Sequence, residues 1–325
     1  MKVCLYCPFR HSLGHVARTG QIAAALRERG ALCTLVFGGA RPPGFEPQDG
    51  VRVLALPESR CLDGVPDPAV LADRSRLIRE AMREADACVV DYHPLGLNGE
   101  LLDTLECAAQ ERWPVRFYWG IPYPGKPGPP PRNPRVRRAL ERYDCALGYS
   151  DAGWLDPFES HQSLPANRVH VGVVAPLPPS CRPVRPPVVV GLAGAGIGAR
   201  PVYEIMLRAA APLARDGRLG LRFVAGQFRE GTPCLDEARR QPGVEVLGHG
   251  SAEGNIVDAS AVVSRAGYNT AYLLAQTDLP LMFIPYCSPD PRYTEQYDRA
   301  RRLSTLPGIR WVDERDENAV QRVSR

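Results

Sequence analysis

Short apolar runs alternate with amphipathic stretches along almost the whole chain, and this alternation is the feature that most limits the possible folds. The runs of the first half have the length and composition of buried strands: VCLYC, LCTLVF, VRVLAL, ACVVDY and VRFYWG. The stretches between them, such as QIAAALRERG and RLIREAMREA, have helical spacing. Because strands that alternate with helices usually run in the same direction, the pattern predicts a parallel sheet with helices on both faces.

The alternation stops at a proline-rich stretch and then begins again. This stretch, APLPPSCRPVRPP (175–187), is predicted to be a stiff, extended linker. After it come further strand-like runs: VVVGLAG, LRFVAG, VEVLG, AVVS, LPLMFIP and IRWV. A chain of 325 residues also exceeds the size of one ordinary hydrophobic core. We therefore predict an α/β protein with two doubly wound, Rossmann-like domains, residues 1–174 and 188–325, joined by the linker.

Composition and charge exclude several classes of protein. The net charge of +4 is small for this length, and no lysine-rich tail or basic helical stripe points to nucleic acid. No apolar run approaches the roughly 20 residues that cross a bilayer, and the amino end lacks the pattern of a signal peptide. Several of the ten cysteines fall in apolar runs, and Cys4 and Cys7 of the CxxC motif would point to opposite faces of one strand. We therefore expect a cytoplasmic protein with reduced cysteines and no metal site.

Unusual residues follow several strands at their carboxyl ends, where open α/β sheets bind ligands. Gly14 and His15 open the helix after the first strand, and Asp91 and His93 end the run ACVV. In the second half, a glycine-rich turn follows VVVGLA and the segment SRAGYNT follows AVV. We expect the carboxyl edges of the two domains to face each other across a cleft, with one substrate on each side.

The glycine-rich turn GLAGAGIGAR allows three interpretations. Gly194, Gly196 and Ala199 satisfy the GxGxxA pattern of dinucleotide-binding proteins. That pattern also needs an acidic residue at the end of the next strand, and LRFVAGQ has none, so a nicotinamide site is disfavoured. The other two interpretations are a turn that only reverses the chain and a loop whose backbone amides approach a phosphate.

The segment SRAGYNT carries a more specific signal. Gly267 would allow a left-handed conformation or a close backbone approach, and Asn269 would cap the helix that follows. The unpaired amides in the first turn of that helix would suit a diphosphate. Arg265 would add a cation, although a salt bridge within the protein could also explain an arginine at this position.

The same residues resemble the donor-binding segment of GT-B glycosyltransferases. RAGYNT, an apolar helix and the run LPLMFIPY follow one another here. The order is similar to that in the bacterial enzyme that adds N-acetylglucosamine to undecaprenyl-linked muramyl pentapeptide, and in plant secondary-metabolite glucosyltransferases. Glu295 and Gln296 resemble the pair that binds sugar hydroxyls in those families, and HSLGHVAR resembles their glycine–histidine loop. The resemblance covers most of the chain.

The resemblance implies a metal-independent, inverting transfer of a sugar from a nucleotide-diphosphate donor to a small-molecule acceptor, with no cofactor. It implies His15 as the base, with Asp91 orienting its imidazole and with Gly14 and His93 on the acceptor side. The loop 247–256 would contact the nucleobase. Together with the glycine-rich turn, the residues expected to bind the donor are Gly194, Gly196, Arg265, Gly267, Tyr268, Asn269, Thr270, Glu295 and Gln296.

Two features depart from the family's pattern. Leu273 stands where the family usually has a glutamate for the ribose hydroxyls, so a deoxyribose donor, another ribose contact or a lost activity are alternatives. The end of the chain, NAVQRVSR, leaves little room for the family's long final helix. The acidic run DERDE (313–317) is interpreted as a solvated charge run. Two other functions stay open: a nucleotide-sugar 2-epimerase and a non-catalytic nucleotide-sugar-binding subunit.

For Arg265→Ala, the sequence predicts weaker binding of a nucleoside diphosphate and a nearly unchanged melting temperature. Loss of one charge-assisted hydrogen bond would weaken binding by about 1.5–3 kcal/mol. Titration calorimetry measures the affinity, and an unchanged affinity would assign Arg265 a structural role.

Overall fold

Two compact units, Met1–Val174 and Ala175–Arg325, make up the chain. The structure is a computed structural model. It describes residues 1–8, 13–40, 45–47, 49–58, 61–62, 65–123, 131–150, 156–159, 161, 163–194, 196, 198–226, 232–248, 250–288 and 294–324. The first unit ends where the proline-rich stretch begins, and residues 175–187 contain no helix or strand.

The first unit is built on a parallel sheet. In chain order its elements are β1 (Lys2–Cys7), α1 (Leu13–Glu28), β2 (Leu32–Phe37), β3 (Val51–Ala55), β4 (Cys61–Leu62), β5 (Val65–Pro66), α2 (Pro68–Arg83), β6 (Ala87–Asp91), α3 (Leu102–Gln110), β7 (Arg116–Ile121), α4 (Pro134–Leu140), β8 (Cys145–Gly148) and β9 (Arg168–His170). The sheet has the order β3-β2-β1-β6-β7-β8-β9, and its neighbouring strands are parallel. The short strands β4 and β5 form a separate antiparallel pair.

The second unit repeats this design. Its elements are β10 (Val188–Leu192), α5 (Arg200–Arg215), β11 (Gly220–Val224), α6 (Thr232–Ala238), β12 (Val244–Leu247), α7 (Ala252–Asn255), β13 (Ala261–Ser264), α8 (Tyr268–Ala275), β14 (Leu281–Phe283), α9 (Glu295–Leu303), β15 (Ile309–Trp311) and α10 (Ala319–Val323). The strand order is β12-β11-β10-β13-β14-β15, again with parallel neighbours. Two doubly wound α/β units are therefore confirmed.

The strands are buried on both faces, as parallel strands covered by helices must be. In β1, Cys4 and Tyr6 lie in one hydrophobic cluster, whereas Leu5 and Cys7 lie in another, which also contains Val16 of α1. This alternation confirms that Cys4 and Cys7 point to opposite faces of one strand. All cysteines whose side chains the structure describes are free.

Local sequence explains where several helices begin. Asp67 accepts a hydrogen bond from the Ala69 amide at the start of α2, and Asn133 accepts one from Arg135 at the start of α4. Both helices then carry a proline in the first turn, where its missing N–H costs nothing. No helix within the described ranges has both the length and the apolar character needed to cross a membrane.

Each sheet changes winding direction at one point, and this point positions the candidate sites. In the first unit the change lies between β1 and β6, and in the second it lies between β10 and β13. At such a point the loops after the two strands leave the sheet in opposite directions and open a crevice at the carboxyl edge. His15 and Asp91 lie at the first of these points, and the glycine-rich turn and SRAGYNT lie at the second.

Candidate active site

The predicted pair His15 and Asp91 is in direct contact in the first unit. His15 lies in the first turn of α1, and Asp91 is the last residue of β6. The His15 Nδ1 atom is 2.6 Å from Asp91 Oδ2. The Asp91 side chain is fully buried, whereas the His15 side chain is 17% exposed, so the imidazole can still reach a bound molecule.

Arg18, which sequence reasoning missed, holds the same carboxylate. Its Nε donates to Asp91 Oδ1 at 2.9 Å, and its Nη2 donates to Oδ2 at 2.7 Å. The arginine is buried, and its guanidinium also lies over the ring of Tyr149, 5.6 Å from the centroid. The sequence could have indicated this contact, because Arg18 follows His15 by one turn of α1 and therefore lies on the same face of the helix.

The charges around Asp91 determine the state of the imidazole. Burial alone would raise the pKa of Asp91, but the charge of Arg18 and the hydrogen bond from His15 together lower that pKa to about 2. The carboxylate is therefore ionised near neutral pH and accepts the Nδ1 proton of His15. Arg18 Nη2 lies 3.0 Å from the same Nδ1, but a protonated Nδ1 accepts nothing from it. This tautomer leaves the lone pair on His15 Nε2.

Aromatic rings surround His15. The ring of Tyr92 is stacked at 6.0 Å from that of His15, and the ring of His93 is 4.7 Å from that of Tyr92. Tyr92 has φ of +60°, which is unusual for a residue other than glycine. Two hydrogen bonds stabilise this conformation: the Tyr92 N–H donates to the Gly120 carbonyl, and the Tyr92 carbonyl accepts one from Trp119 Nε1. The pKa of His93 is lowered to about 4, mainly because the side chain is buried and also because His15 lies nearby. His93 is thus a neutral group beside His15.

The glycine-rich turn of the second unit has a conformation that requires glycine. Gly194, Gly196 and Gly198 have φ of +59°, +99° and +64°. At Gly198 a side chain is also excluded by contact, because a Cβ atom would lie 2.3 Å from the ring of Tyr286. At Gly194, in contrast, no atom of the other described residues lies within 4 Å of such a Cβ atom. The turn therefore packs closely at one end and leaves space beside its backbone at the other.

The start of α8 differs from its prediction. The prediction that Asn269 caps this helix is wrong, since Gly267 is the N-cap, α8 begins at Tyr268, and Asn269 is its second residue. Gly267 is also not left-handed: its φ of −63° and ψ of 148° are extended values that any residue adopts. In the described part of the chain, no atom beyond the two neighbouring residues lies within 4 Å of a Cβ atom placed on Gly267, so its backbone borders open space there. Gly267, Asn269 and Thr270 are all partly exposed.

Arg265 is buried beneath this turn and bonds to the protein itself. Its Nε donates to the Gly198 carbonyl at 2.9 Å, and its Nη1 donates to the carbonyls of Ile284 and Pro285 at 2.9 and 3.0 Å. Its Nη2 also donates to Gly198 and forms an ion pair with Glu314 Oε2 at 2.7 Å. Each guanidinium nitrogen thus has a protein oxygen as a neighbour. This geometry favours the salt-bridge explanation of Arg265 over direct contact with a diphosphate.

The interpretation of DERDE as a solvated charge run is wrong for Glu314. Its side chain is only 10% exposed. Besides the ion pair with Arg265, its Oε1 accepts a hydrogen bond from the Cys287 amide at 2.7 Å. A carboxylate pairs with a buried arginine when the fold brings the two together, and the local sequence around Glu314 does not contain that information.

The other predicted donor residues lie at the start of α9 and in α8. Glu295 and Gln296 are the first two residues of α9, and both are partly buried. Gln296 Oε1 accepts a hydrogen bond from the Tyr286 amide at 3.1 Å, which leaves its Nε2 as the group that can donate to a ligand. Leu273 is 1% exposed and packs in the core of the unit, so the position cannot contact a ribose.

Two further expectations concern the nucleobase and metals. The segment expected to contact the nucleobase contains the short helix α7, whose first turn is capped when Ser251 Oγ accepts a hydrogen bond from the Gly254 amide. His249 lies outside the described residues. Within the described ranges, no group of three or more His, Cys, Asp and Glu side chains is arranged to hold a metal ion.

The buried carboxylate of Asp91 should make the free energy of unfolding depend on pH in the acid range. Its folded-state pKa lies below the ordinary value of 3.8, so the stabilisation is present above about pH 4 and is lost as the pH falls through about 2. The shift corresponds to roughly 2 kcal/mol. We expect the free energy of unfolding of the wild type to fall by that much more than that of Asp91→Asn over this pH range, as measured by urea unfolding. Equal slopes for the two proteins would contradict the bonds to Arg18 and His15.

Arg265→Ala should now lower stability, contrary to the expectation from the sequence. The variant leaves Glu314 buried without its partner, and breaking a buried ion pair in this way costs about 3–5 kcal/mol. The free energy of unfolding measures the loss. A second protein that combines Arg265→Ala with Glu314→Gln removes both charges and should recover part of it. If the melting temperature of Arg265→Ala equals that of the wild type, the structural role is contradicted and direct contact of Arg265 with the ligand is the better explanation.

No protein-family model and no curated protein matches the sequence. The structure is similar to solved structures of low sequence identity. MurG of Acinetobacter baumannii is 14% identical, with 99% of this chain and 89% of that chain covered and a TM-score of 0.58. The glycosyltransferase of kitacinnamycin is 14% identical, with 99% and 90% covered and a TM-score of 0.60. UGT89C1 of Arabidopsis thaliana, complexed with UDP, is 13% identical, with 100% and 89% covered and a TM-score of 0.63. The chain therefore has the GT-B fold.

Proposed function

We propose that the chain is a glycosyltransferase that moves a sugar from a nucleotide-diphosphate donor to a hydroxyl of a small-molecule acceptor. The transfer would be independent of metal and would invert the anomeric carbon. One observation carries the proposal: a partly exposed histidine, His15, is held 2.6 Å from a buried carboxylate at the switch point of a GT-B sheet. The likeness in fold to several glycosyltransferases supports it.

The first unit would bind the acceptor and remove its proton. Because Asp91 accepts the hydrogen bond of the Nδ1 proton of His15, His15 Nε2 would accept the proton of the acceptor hydroxyl as the hydroxyl oxygen attacks the anomeric carbon. The imidazolium formed in this step would be stabilised by Asp91, whose charge is shared with Arg18. Gly14 and His93 would lie next to the acceptor. Because the ring of His93 is neutral, it would add no second positive charge beside the imidazolium.

The second unit would bind the donor and stabilise the leaving group. As the new bond to the acceptor oxygen forms, the bond between the anomeric carbon and the diphosphate breaks, and the electron pair remains on the phosphate oxygen. Amides in the first turn of α8, from Gly267 to Thr270, would receive this charge, as helix N-termini do for other phosphates. Gly194 and Gly196 would bring further amides close. Glu295 and the Nε2 group of Gln296 would bind sugar hydroxyls.

Two other functions predict different products. A nucleotide-sugar 2-epimerase would change the sugar without any second substrate, and a non-catalytic binding subunit would form no product at all. The buried Leu273 is the observation that favours the binding subunit, since it removes one contact expected for a ribose. A thermal-shift screen with uridine, thymidine and guanosine diphosphosugars would identify the donor. Release of free nucleoside diphosphate only in the presence of an acceptor would identify transfer.

His15→Ala should lower turnover by roughly 10²–10⁴-fold, the usual contribution of general acid–base catalysis. Binding of the nucleotide should be unchanged, because all proposed donor contacts lie in the second unit. Asp91→Asn should have a smaller effect, since Asp91 acts only by orienting and polarising the imidazole. The measurements are product formation with an identified acceptor and nucleotide affinity by calorimetry.

His170→Ala is the matched control, because His170 lies on β9 of the same sheet, away from the switch point. It should keep both turnover and affinity. Full turnover in His15→Ala would mean that the acceptor loses its proton in another way. Loss of nucleotide binding in His15→Ala would show that the two substrates are not separated between the units as proposed.

A further inference from the structure

Arg299, on α9, is a buried cation without a carboxylate. The residue is 1% exposed, yet it forms no ion pair with any acidic residue in the described part of the chain. Its Nη1 donates to the Ala266 carbonyl at 2.6 Å, whereas its Nε and Nη2 have no hydrogen-bond partner among the residues that the structure describes. The rings of Tyr268 and Tyr272 lie 5.5 and 5.9 Å from its guanidinium carbon. The protein itself therefore leaves this charge uncompensated.

The other buried arginines provide a contrast. Arg18, Arg74 and Arg265 pair with Asp91, Glu100 and Glu314, respectively. Glu295, one helical turn before Arg299 on α9, has the spacing of an ion-pair partner but does not form one. A buried charge without a partner is costly, and buried polar groups that proteins leave unpaired call for a specific explanation.

The position of Arg299 provides that explanation. It contacts Ala266, Tyr268 and Tyr272, and it therefore lies directly behind the first turn of α8, which is the positive end of that helix. Two positive charges side by side disfavour each other in the absence of an anion. Binding an anion at this turn would relieve both.

One peptide group connects the arginine to the open side of the turn. The carbonyl that Arg299 contacts belongs to Ala266, and the N–H of the same peptide belongs to Gly267. In a planar trans peptide these two groups point in opposite directions, so the Gly267 N–H points away from Arg299. It has no acceptor among the residues that the structure describes, and Gly267 borders open space. A cation on the carbonyl polarises the peptide and makes the N–H a stronger donor.

We propose that Arg299 is a positioning residue for a diphosphate, which it stabilises through the Ala266–Gly267 peptide and without touching the ligand. The inference rests on the proposed function, since it takes the first turn of α8 as the donor's diphosphate site. The alternative is that Arg299 only packs between Tyr268 and Tyr272. Packing alone predicts that its loss weakens the fold but leaves the response to an anion unchanged.

Arg299→Gln tests the charge, because glutamine retains amide N–H groups in a neutral side chain. We expect its affinity for a nucleoside diphosphate to fall roughly tenfold, the lower end of effects through groups that orient a ligand's direct contacts. Arg299→Lys places a charged donor on the same side, so its affinity should fall less than that of Arg299→Gln. Arg301→Gln is the matched control on the same helix, with a side chain that is 70% exposed, and should not change the affinity. Titration calorimetry with uridine, thymidine and guanosine diphosphates gives the affinities.

A second measurement is made on the wild type and does not depend on whether Arg299→Gln folds. In protein with ¹⁵N-labelled glycine, inorganic pyrophosphate should shift the amide signal of Gly267 downfield, and inorganic sulfate at equal ionic strength should shift it less. The signal is assigned by its loss in Gly267→Ala, a substitution that the extended backbone and the open space permit. An unmoved signal overturns the proposal.

The outcomes separate this inference from the function on which it rests. If the wild type binds none of the three nucleoside diphosphates and pyrophosphate does not move the Gly267 amide signal, the proposed donor site and the role of Arg299 are both contradicted. If the wild type binds one of them and Arg299→Gln binds it equally well, only the role of Arg299 falls. A melting temperature of Arg299→Gln equal to or above that of the wild type, with weaker binding, supports the proposal, because it shows that the charge serves the ligand at the expense of the fold.

Discussion

The bonds of Arg265 hold the carboxyl edge of the second sheet together. The residue follows β13, and its guanidinium reaches the turn after β10, the end of β14 and, through Glu314, the segment after β15. These hydrogen bonds connect the glycine-rich turn to the strand end that leads into α8. The first unit uses the same device, in which Arg74 pairs with Glu100 and also donates to the carbonyls of Gly38 and Pro57, beyond the ends of β2 and β3.

These buried pairs explain why an arginine at a strand end is an ambiguous sign of a ligand. Carbonyl oxygens collect at the carboxyl edge of a parallel sheet, and a planar guanidinium can donate hydrogen bonds to several of them at once. Protein oxygens lie next to every guanidinium nitrogen of Arg265. Among the described residues, two guanidinium nitrogens of Arg299 have no such oxygen. The distinction depends on which acceptors surround each side chain, and residue type alone does not reveal it.

Much of the fold could be predicted from the sequence, because the signals for it are local. Strand runs such as ACVV and VVVGL contain no charged residue, which suits a strand buried on both faces, and they lie where the structure has β6 and β10. The pair of His15 and Asp91 was also predicted, since both residues stand at carboxyl ends of strands. The helix cap is predicted incorrectly: Asn269 is a favourable capping residue, but Gly267, with an extended backbone, is the cap, and the helix begins two residues earlier.

The contacts that the sequence did not reveal join residues far apart in the chain. Arg18 and Asp91 are separated by 73 positions, and Glu314 looked like part of an exposed acidic run because its partner, Arg265, belongs to another loop. Such pairs also decide what the site can do chemically. The charge of Asp91 is shared between His15 and Arg18, so less of it is available to stabilise an imidazolium than in an isolated pair. If His15 is the base, as proposed, an acceptor hydroxyl that loses its proton readily is the one that suits it best.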